Sequence, residues 1–276
     1  MKNLLPRTIS GSVYIGLIIL GTSGKPWLFA GLMAIFLIFC LFEFVKITAL
    51  KDKLYLLLSF AASAGIFYYF SKSFFENQNM ILTDSLSYAG PVLFLLAAFT
   101  IMFSTDEMKL DFGKATIGVI YIAVPFSLAL TIPQSKLEFG ETIISNEILF
   151  IFILIWISDV MAYVIGSLWG KHKLAPKISG GKTWEGAIGG VVFTIIAGYI
   201  FQQYIFQDSR FNWAIIGLIV AVTAPLGDLI ESKLKRFFDV KDSSNLIPGH
   251  GGFLDRLDSF IFVIPMVYLY LLINQL

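Results

Sequence analysis

Nine apolar stretches set the limits on what this chain can fold into. They run roughly over 9–20, 26–45, 54–70, 88–104, 115–132, 148–168, 187–206, 213–230 and 257–273. A helix needs about 20 mostly apolar residues to cross about 30 Å of hydrocarbon. Only the first stretch is clearly short. None shows sustained two-residue alternation, and most exceed the 9–11 residues of a barrel strand, so helices are expected. Charged residues fill only 14% of the 276 positions, against roughly 25% in a soluble domain. Too few polar groups remain to cover a globule in water, so lipid must be the main solvent. The one cysteine, Cys40, lies inside an apolar stretch, which excludes an intrachain disulfide framework and a cysteine zinc site. A net charge of +1 leaves no basic field for nucleic acid. The expected fold class is an all-α polytopic membrane protein, a single integral membrane domain over 1–276.

Charge placement supplies a topology. With a cytoplasmic N-terminus and nine crossings, sixteen of the twenty Lys and Arg fall on the inward side. Only Lys25, Lys72, Lys136 and Arg210 fall outside. That obeys the positive-inside rule and puts the C-terminus outside. Lys2 and Arg7 ahead of the first stretch resemble the start of a signal peptide, but 21–24 is a weak cleavage site and another apolar run follows at once. It reads as a retained span. Residues 1–147 then form a five-span scaffold, and 148–276 carry four spans with the chemistry-bearing cytoplasmic loops.

Polar residues gather in two places. The first is Asp159 within the sixth stretch and the loop that follows, with Lys171, Lys173, Lys177, Ser179, Lys182, Thr183 and Glu185. A helix start is expected near Thr183, where free N–H groups and lysines suit an anion such as phosphate. Juxtamembrane lysines also enforce topology and touch anionic lipid without any site. Gly181-Lys182-Thr183 is not an ATPase phosphate loop, because Pro176 stands where that motif needs glycine.

The second cluster runs from Asp228 to Asp258. Asp228 lies within an apolar helix and Asp258 opens another. Ionised carboxylates in hydrocarbon cost roughly 2.5–3.5 kcal/mol on insertion scales, so they face a cavity, a cation or a partner. Asp255 and Asp258 share a helical face, and Asp228 closes a third corner if the last two spans pack antiparallel. Three carboxylates without a thiolate describe a hard-cation site, favouring magnesium. Salt bridges such as Asp255–Lys241 and Asp258–Arg256 are the structural alternative. Gly251 and Gly252 let the backbone approach a ligand, and His250 beside them is a phosphate or acid–base candidate with its role open. Glu43, with Lys46 one turn on, reads as a local structural pair.

The segment from Ser232 to Asp258 resembles the hallmark of the phosphatidate cytidylyltransferases. Its order is Ser232, Lys235-Arg236, Lys241-Asp242, then Pro248-Gly249-His250-Gly251-Gly252, and last Asp255-Arg256-Leu257-Asp258. Gly170-Lys171-His172-Lys173-Leu174-Ala175-Pro176 and Lys182-Thr183-Trp184-Glu185-Gly186 resemble the family's upstream stretch, with Gly180 where Pro is common and Val160 where Thr is. The resemblance implies transfer of CMP from CTP to phosphatidate, with pyrophosphate released, in phospholipid biosynthesis. It implies magnesium on Asp228, Asp255 and Asp258, with a second cation allowed. Lys235, Arg236, Lys241, Asp242, His250 and Arg256 become the catalytic candidates. Asp159, Lys171, Lys173, Lys177, Ser179, Lys182, Thr183, Glu185, Ser232, Gly251 and Gly252 become substrate-binding candidates. CTP and bilayer phosphatidate are the implied partners, with a homodimer as a candidate assembly, in a bacterial inner membrane with the site facing the cytoplasm. A CTP-dependent lipid kinase and an ion-coupled transporter using intramembrane acids are the competing readings.

Overall fold

The computed structural model describes residues 4–22, 25–75, 85–103, 106–132, 136–139, 142–145, 147–175, 179–207, 209, 211–244, 246–247 and 251–274. The helices are α1 (Leu4–Gly21), α2 (Pro26–Ile47), α3 (Lys53–Phe75), α4 (Ser85–Phe103), α5 (Asp111–Gly118), α6 (Val124–Ala129), α7 (Glu147–Trp169), α8 (Trp184–Tyr204), α9 (Trp213–Phe237) and α10 (Leu254–Ile273). A π-turn over Val119–Ala123 joins α5 to α6, so Asp111–Ala129 runs as one rod. Two short antiparallel hairpins lie in the connections: β1 (Lys136–Phe139) with β2 (Thr142–Ser145), and β3 (Lys173–Ala175) with β4 (Ser179–Thr183).

Among the described residues, seven helices are long and apolar enough to cross a membrane: α2, α3, the α5–α6 rod, α7, α8, α9 and α10. Two shorter apolar helices, Thr8–Gly21 and Tyr88–Phe103, occupy the first and fourth expected stretches. The chain is an all-α polytopic integral membrane protein. Sequence sets the helix starts. Pro26 takes the first turn of α2, where its missing N–H removes no bond. Asn212 accepts from the amides of Ala214 (2.9 Å) and Ile215 (3.2 Å) at the head of α9.

In lipid there is little hydrophobic drive between helices, so close backbone contact and good packing hold them together. Small residues supply that contact along α7, α8 and α9. A Cβ on Gly186 would lie 2.5 Å from the Ala162 carbonyl, and one on Gly217 would lie 2.6 Å from that of Thr194. Gly227 brings α9 just as close to α10, with 2.5 Å to the Asp258 carbonyl. Aromatic rings fill the space behind. Phe94 stacks on Tyr121 at 5.4 Å, and Phe152 stacks on Phe260 at 4.5 Å. This packing holds the last two helices in fixed register where their acids meet.

Candidate active site

The Gly227 crossing sets two residues of α9 against one of α10. Asp228 and Glu231 are three apart, hence on one helical face. With Asp258 they offer carboxylate oxygens that all lie within 4.8 Å of one another. At that spacing each like-charged pair repels by roughly 3 kcal/mol or more, taking an effective dielectric of about 20. Two lysines offset part of this. Lys182 Nζ lies 2.7 Å from Asp228 Oδ2 and donates to the Pro225 carbonyl at 3.0 Å. Lys235 Nζ lies 2.6 Å from Glu231 Oε2 and 2.7 Å from Asp255 Oδ1. Ser232 Oγ donates to Asp228 Oδ1 at 3.3 Å, and the Ser259 amide donates to Asp258 Oδ1 at 2.6 Å. Glu231 is fully buried, and its Oε1 has no hydrogen-bond partner among the described residues. An orphaned buried carboxylate oxygen facing two further carboxylates is the donor set of a hard divalent cation. These residues fit one.

Asp255 faces the other way. Its carboxylate takes Lys235, the Ser243 amide (3.0 and 3.2 Å), the Ser243 hydroxyl (2.8 Å) and the Gly252 amide (2.8 Å). Its ion-pair partner is Lys235, not the Lys241 named in the salt-bridge alternative, and Lys241 lies exposed. Gly251 turns this loop with φ +84°, a left-handed backbone that disfavours side chains. Glu43 also departs from expectation. Its buried carboxylate accepts from Ser243 Oγ (2.8 Å), Ser244 Oγ (2.5 Å), the Phe253 amide (3.0 Å) and the Leu254 amide (2.8 Å), while Lys46 is exposed. The reason is the head of α10: its first amides have no intrahelical partner, and a carboxylate from α2 satisfies two of them.

Two cavities meet beside the cluster. One, of about 380 Å³, lies among α7, α8, α9 and the β3–β4 hairpin and is lined by Gly166, Gly181, Lys182, Thr183, Gly186 and Asp228, among others. The other, of about 250 Å³, lies among α1, α7 and α10. It has apolar walls at Tyr14, Ile15, Phe152 and Trp156, and a polar floor at Asp255, Arg256 and Asp258. Asp159 lines both. Thr183 caps α8 as its sequence suggests, its Oγ1 accepting from the Gly186 amide at 3.2 Å.

Glu185 lies across the hairpin from His172, whose Nδ1 is 2.6 Å from Glu185 Oε1 and whose amide donates to the same carboxylate at 3.2 Å. Lys171, Lys173, Arg236, Lys241, Asp242 and Arg256 are exposed. Arg236 Nη1 donates to the Val240 carbonyl at 3.5 Å, below the last turn of α9. Lys177, His250 and the side chain of Ser179 lie outside the described residues.

A family model described as "Cytidylyltransferase family" matches residues 5–274. The chain belongs to the cytidylyltransferase family. Curated relatives named phosphatidate cytidylyltransferase include one from Bacillus subtilis (strain 168), 38% identical over 197 residues, which are 71% of this chain and 70% of that protein. Another, from Staphylococcus saprophyticus, is 36% identical over 180 residues, 65% of this chain and 66% of that protein. The match thus spans just under two thirds of the staphylococcal relative's length. Among the described residues, Asp228, Glu231 and Asp258 form a group of acids close enough to share a cation, with Lys182 paired to Asp228 at its edge. Of the expected metal ligands, Asp228 and Asp258 converge there, and Glu231 joins them while Asp255 turns toward Lys235 and Ser243. The signal for Glu231 was its three-residue spacing from Asp228. Glu43 and Ser243 carried no such signal, because their meeting spans 200 residues.

Proposed function

We propose that this chain is a phosphatidate cytidylyltransferase with magnesium as its cation. The observation that carries the reading is the acidic cluster at the junction of two chemically different cavities. The glycine- and lysine-lined chamber at the head of α8 suits the triphosphate of CTP: helix N–H groups, the dipole and Lys182 all favour anions there. The slot beside α1 has a polar floor under apolar walls, as a phosphate carrying two acyl chains requires. A phosphatidate phosphate oxygen attacks the α-phosphorus of CTP. A new P–O bond forms, the bond from the α-phosphorus to the β-bridging oxygen breaks, and pyrophosphate leaves with the electron pair. The attacking oxygen is already anionic, so no strong base is needed, and rate comes from positioning and charge neutralisation.

Asp228, Glu231 and Asp258 would hold magnesium, which supplies countercharge for the triphosphate, and the Asp255 side of the group would serve a second cation. Lys182 orients Asp228 and adds positive charge at the nucleotide chamber. Arg256, on the floor of the lipid slot, would face the phosphatidate phosphate, and Lys171, Lys173 and Lys177 would line the nucleotide entrance. In this reading nine spans cross a bacterial inner membrane, with the N-terminus and the active site on the cytoplasmic side and the C-terminus outside. The first five spans form the scaffold, and the last four carry the reacting groups.

Purified protein given phosphatidate, magnesium and CTP should place the label of α-labelled CTP in the lipid and release pyrophosphate. Lipid labelled only from γ-labelled CTP, with CDP released, would instead make the chain a lipid kinase. No lipid product, with proton or ion flux in vesicles, would make it a transporter.

A further inference from the structure

We infer that Glu43, on α2 and outside the reacting half, is a positioning residue that sets the geometry of the cation cluster through Ser243. The inference rests on the cation reading above. A continuous chain of polar contacts runs inward from it. Glu43 Oε2 accepts from Ser243 Oγ at 2.8 Å, and the same hydroxyl lies 2.8 Å from Asp255 Oδ2. Asp255 Oδ1 takes Lys235 Nζ at 2.7 Å, and that ammonium lies 2.6 Å from Glu231 Oε2. Glu231 then faces Asp228 and Asp258. Every bond in the chain is partly or wholly buried, which limits competition from water.

Burial makes the arrangement specific. Glu43 is fully buried, so its charge needs donors on every side. It has four: two hydroxyls from the 243–244 loop and the Phe253 and Leu254 amides at the head of α10. One carboxylate therefore fixes both where α10 begins, and so where Asp258 points, and where Ser243 stands. Ser243 has a single hydroxyl proton, which it gives to Glu43 or to Asp255 at any moment, while its amide holds Asp255 continuously. Gly252 seals the junction. A Cβ there would run into Ser243 Oγ and both Glu43 carboxylate oxygens, so no side chain fits between them. Groups that orient metal ligands from behind commonly change affinity by about 10–100-fold when removed.

The experiment titrates the full-length protein in detergent micelles with Mn²⁺, read by its paramagnetic resonance signal. Wild type is compared with Ser243→Ala and Glu43→Gln, and thermal melting is recorded for each. Ser243→Ala keeps three of the four donors on Glu43 and the amide bond to Asp255, so the fold should hold. Its Mn²⁺ affinity should fall about tenfold, while melting falls only by the modest amount that one lost buried hydrogen bond accounts for. Glu43→Gln sets amide hydrogens against donors and should weaken Mn²⁺ further; if it does not fold, the serine variant decides alone. A Ser243→Ala protein that binds Mn²⁺ as wild type does overturns the inference and leaves the proposed reaction standing. A wild-type protein that binds Mn²⁺ and shows the serine effect but transfers no CMP overturns the reaction and leaves the inference standing. A wild-type protein that binds no Mn²⁺ overturns the inference and the cation reading together.

Discussion

Replacing Gly227 by alanine tests the register on which the acidic cluster depends. The added Cβ would lie 2.5 Å from the Asp258 carbonyl oxygen and 3.0 Å from Phe262 Cβ. Ordinary contact needs about 0.9 Å more room on the backbone side. A carbonyl in the first turns of a helix cannot swing aside as a flexible side chain can, so α9 and α10 must separate or slide. Overpacking of this kind costs about 1–3 kcal/mol. Gly227 is the neighbour of Asp228, and the obstructing carbonyl belongs to Asp258, so the displacement falls directly on two of the three clustered carboxylates. A shift of about 1 Å in a reacting constellation can lower the rate about 100-fold. The assay pairs thermal melting in micelles with initial rates of CMP transfer from α-labelled CTP. Gly227→Ala should melt lower and lose about two orders of magnitude in rate. Gly65→Ala on α3 meets nothing within 4 Å and should keep both. A Gly227→Ala enzyme with wild-type rate would refute the claim that this crossing sets the site.

Other perturbations separate charge from shape. Asp258→Asn should abolish turnover and Mn²⁺ binding while the protein still folds, since size is kept and a buried charge is removed. Lys182→Met should raise the KM for CTP far more than that for phosphatidate, because Lys182 lines the chamber at α8 and leaves the other slot untouched; equal effects on both would argue against the division. Thr183→Ala removes the cap on the Gly186 amide and should cost about 1 kcal/mol, visible as a lower melting temperature. Arg256→Gln should raise the KM for phosphatidate with that for CTP little changed, in a vesicle assay that varies each substrate alone.

Helix positions were readable because lipid imposes a length, and a length shows in sequence. The seven long helices fall on expected stretches, and the cap at Thr183 stands where its residue type suggested. Asp228 and Asp258 were readable for the same reason, since an acid in hydrocarbon needs a partner. Partner choice was not. Whether Asp255 meets Lys241 or Lys235 depends on how residues 239–244 fold back, and the left-handed turn at Asp239 (φ 56°) that begins this return has no sequence mark as strong as a glycine. Glu43 misled because a nearby lysine offered a sufficient local explanation. Four donors from the far end of the chain outcompete one solvated ammonium, and only tertiary structure brings them there.

The glycine seams also say where this molecule can yield. Helices joined carbonyl against Cα, as α7, α8 and α9 are at Gly186 and Gly217, have no side chains between them to act as a cushion, so that wall works as a stiff plate. The slot beside α1 is bounded differently: one wall is a helix whose outer face, at Ile9, Val13 and Leu20, looks away from the protein. If the proposed two-tailed substrate enters this slot, α1 is the wall that should yield, and a crosslink from α1 to α7 should block its entry.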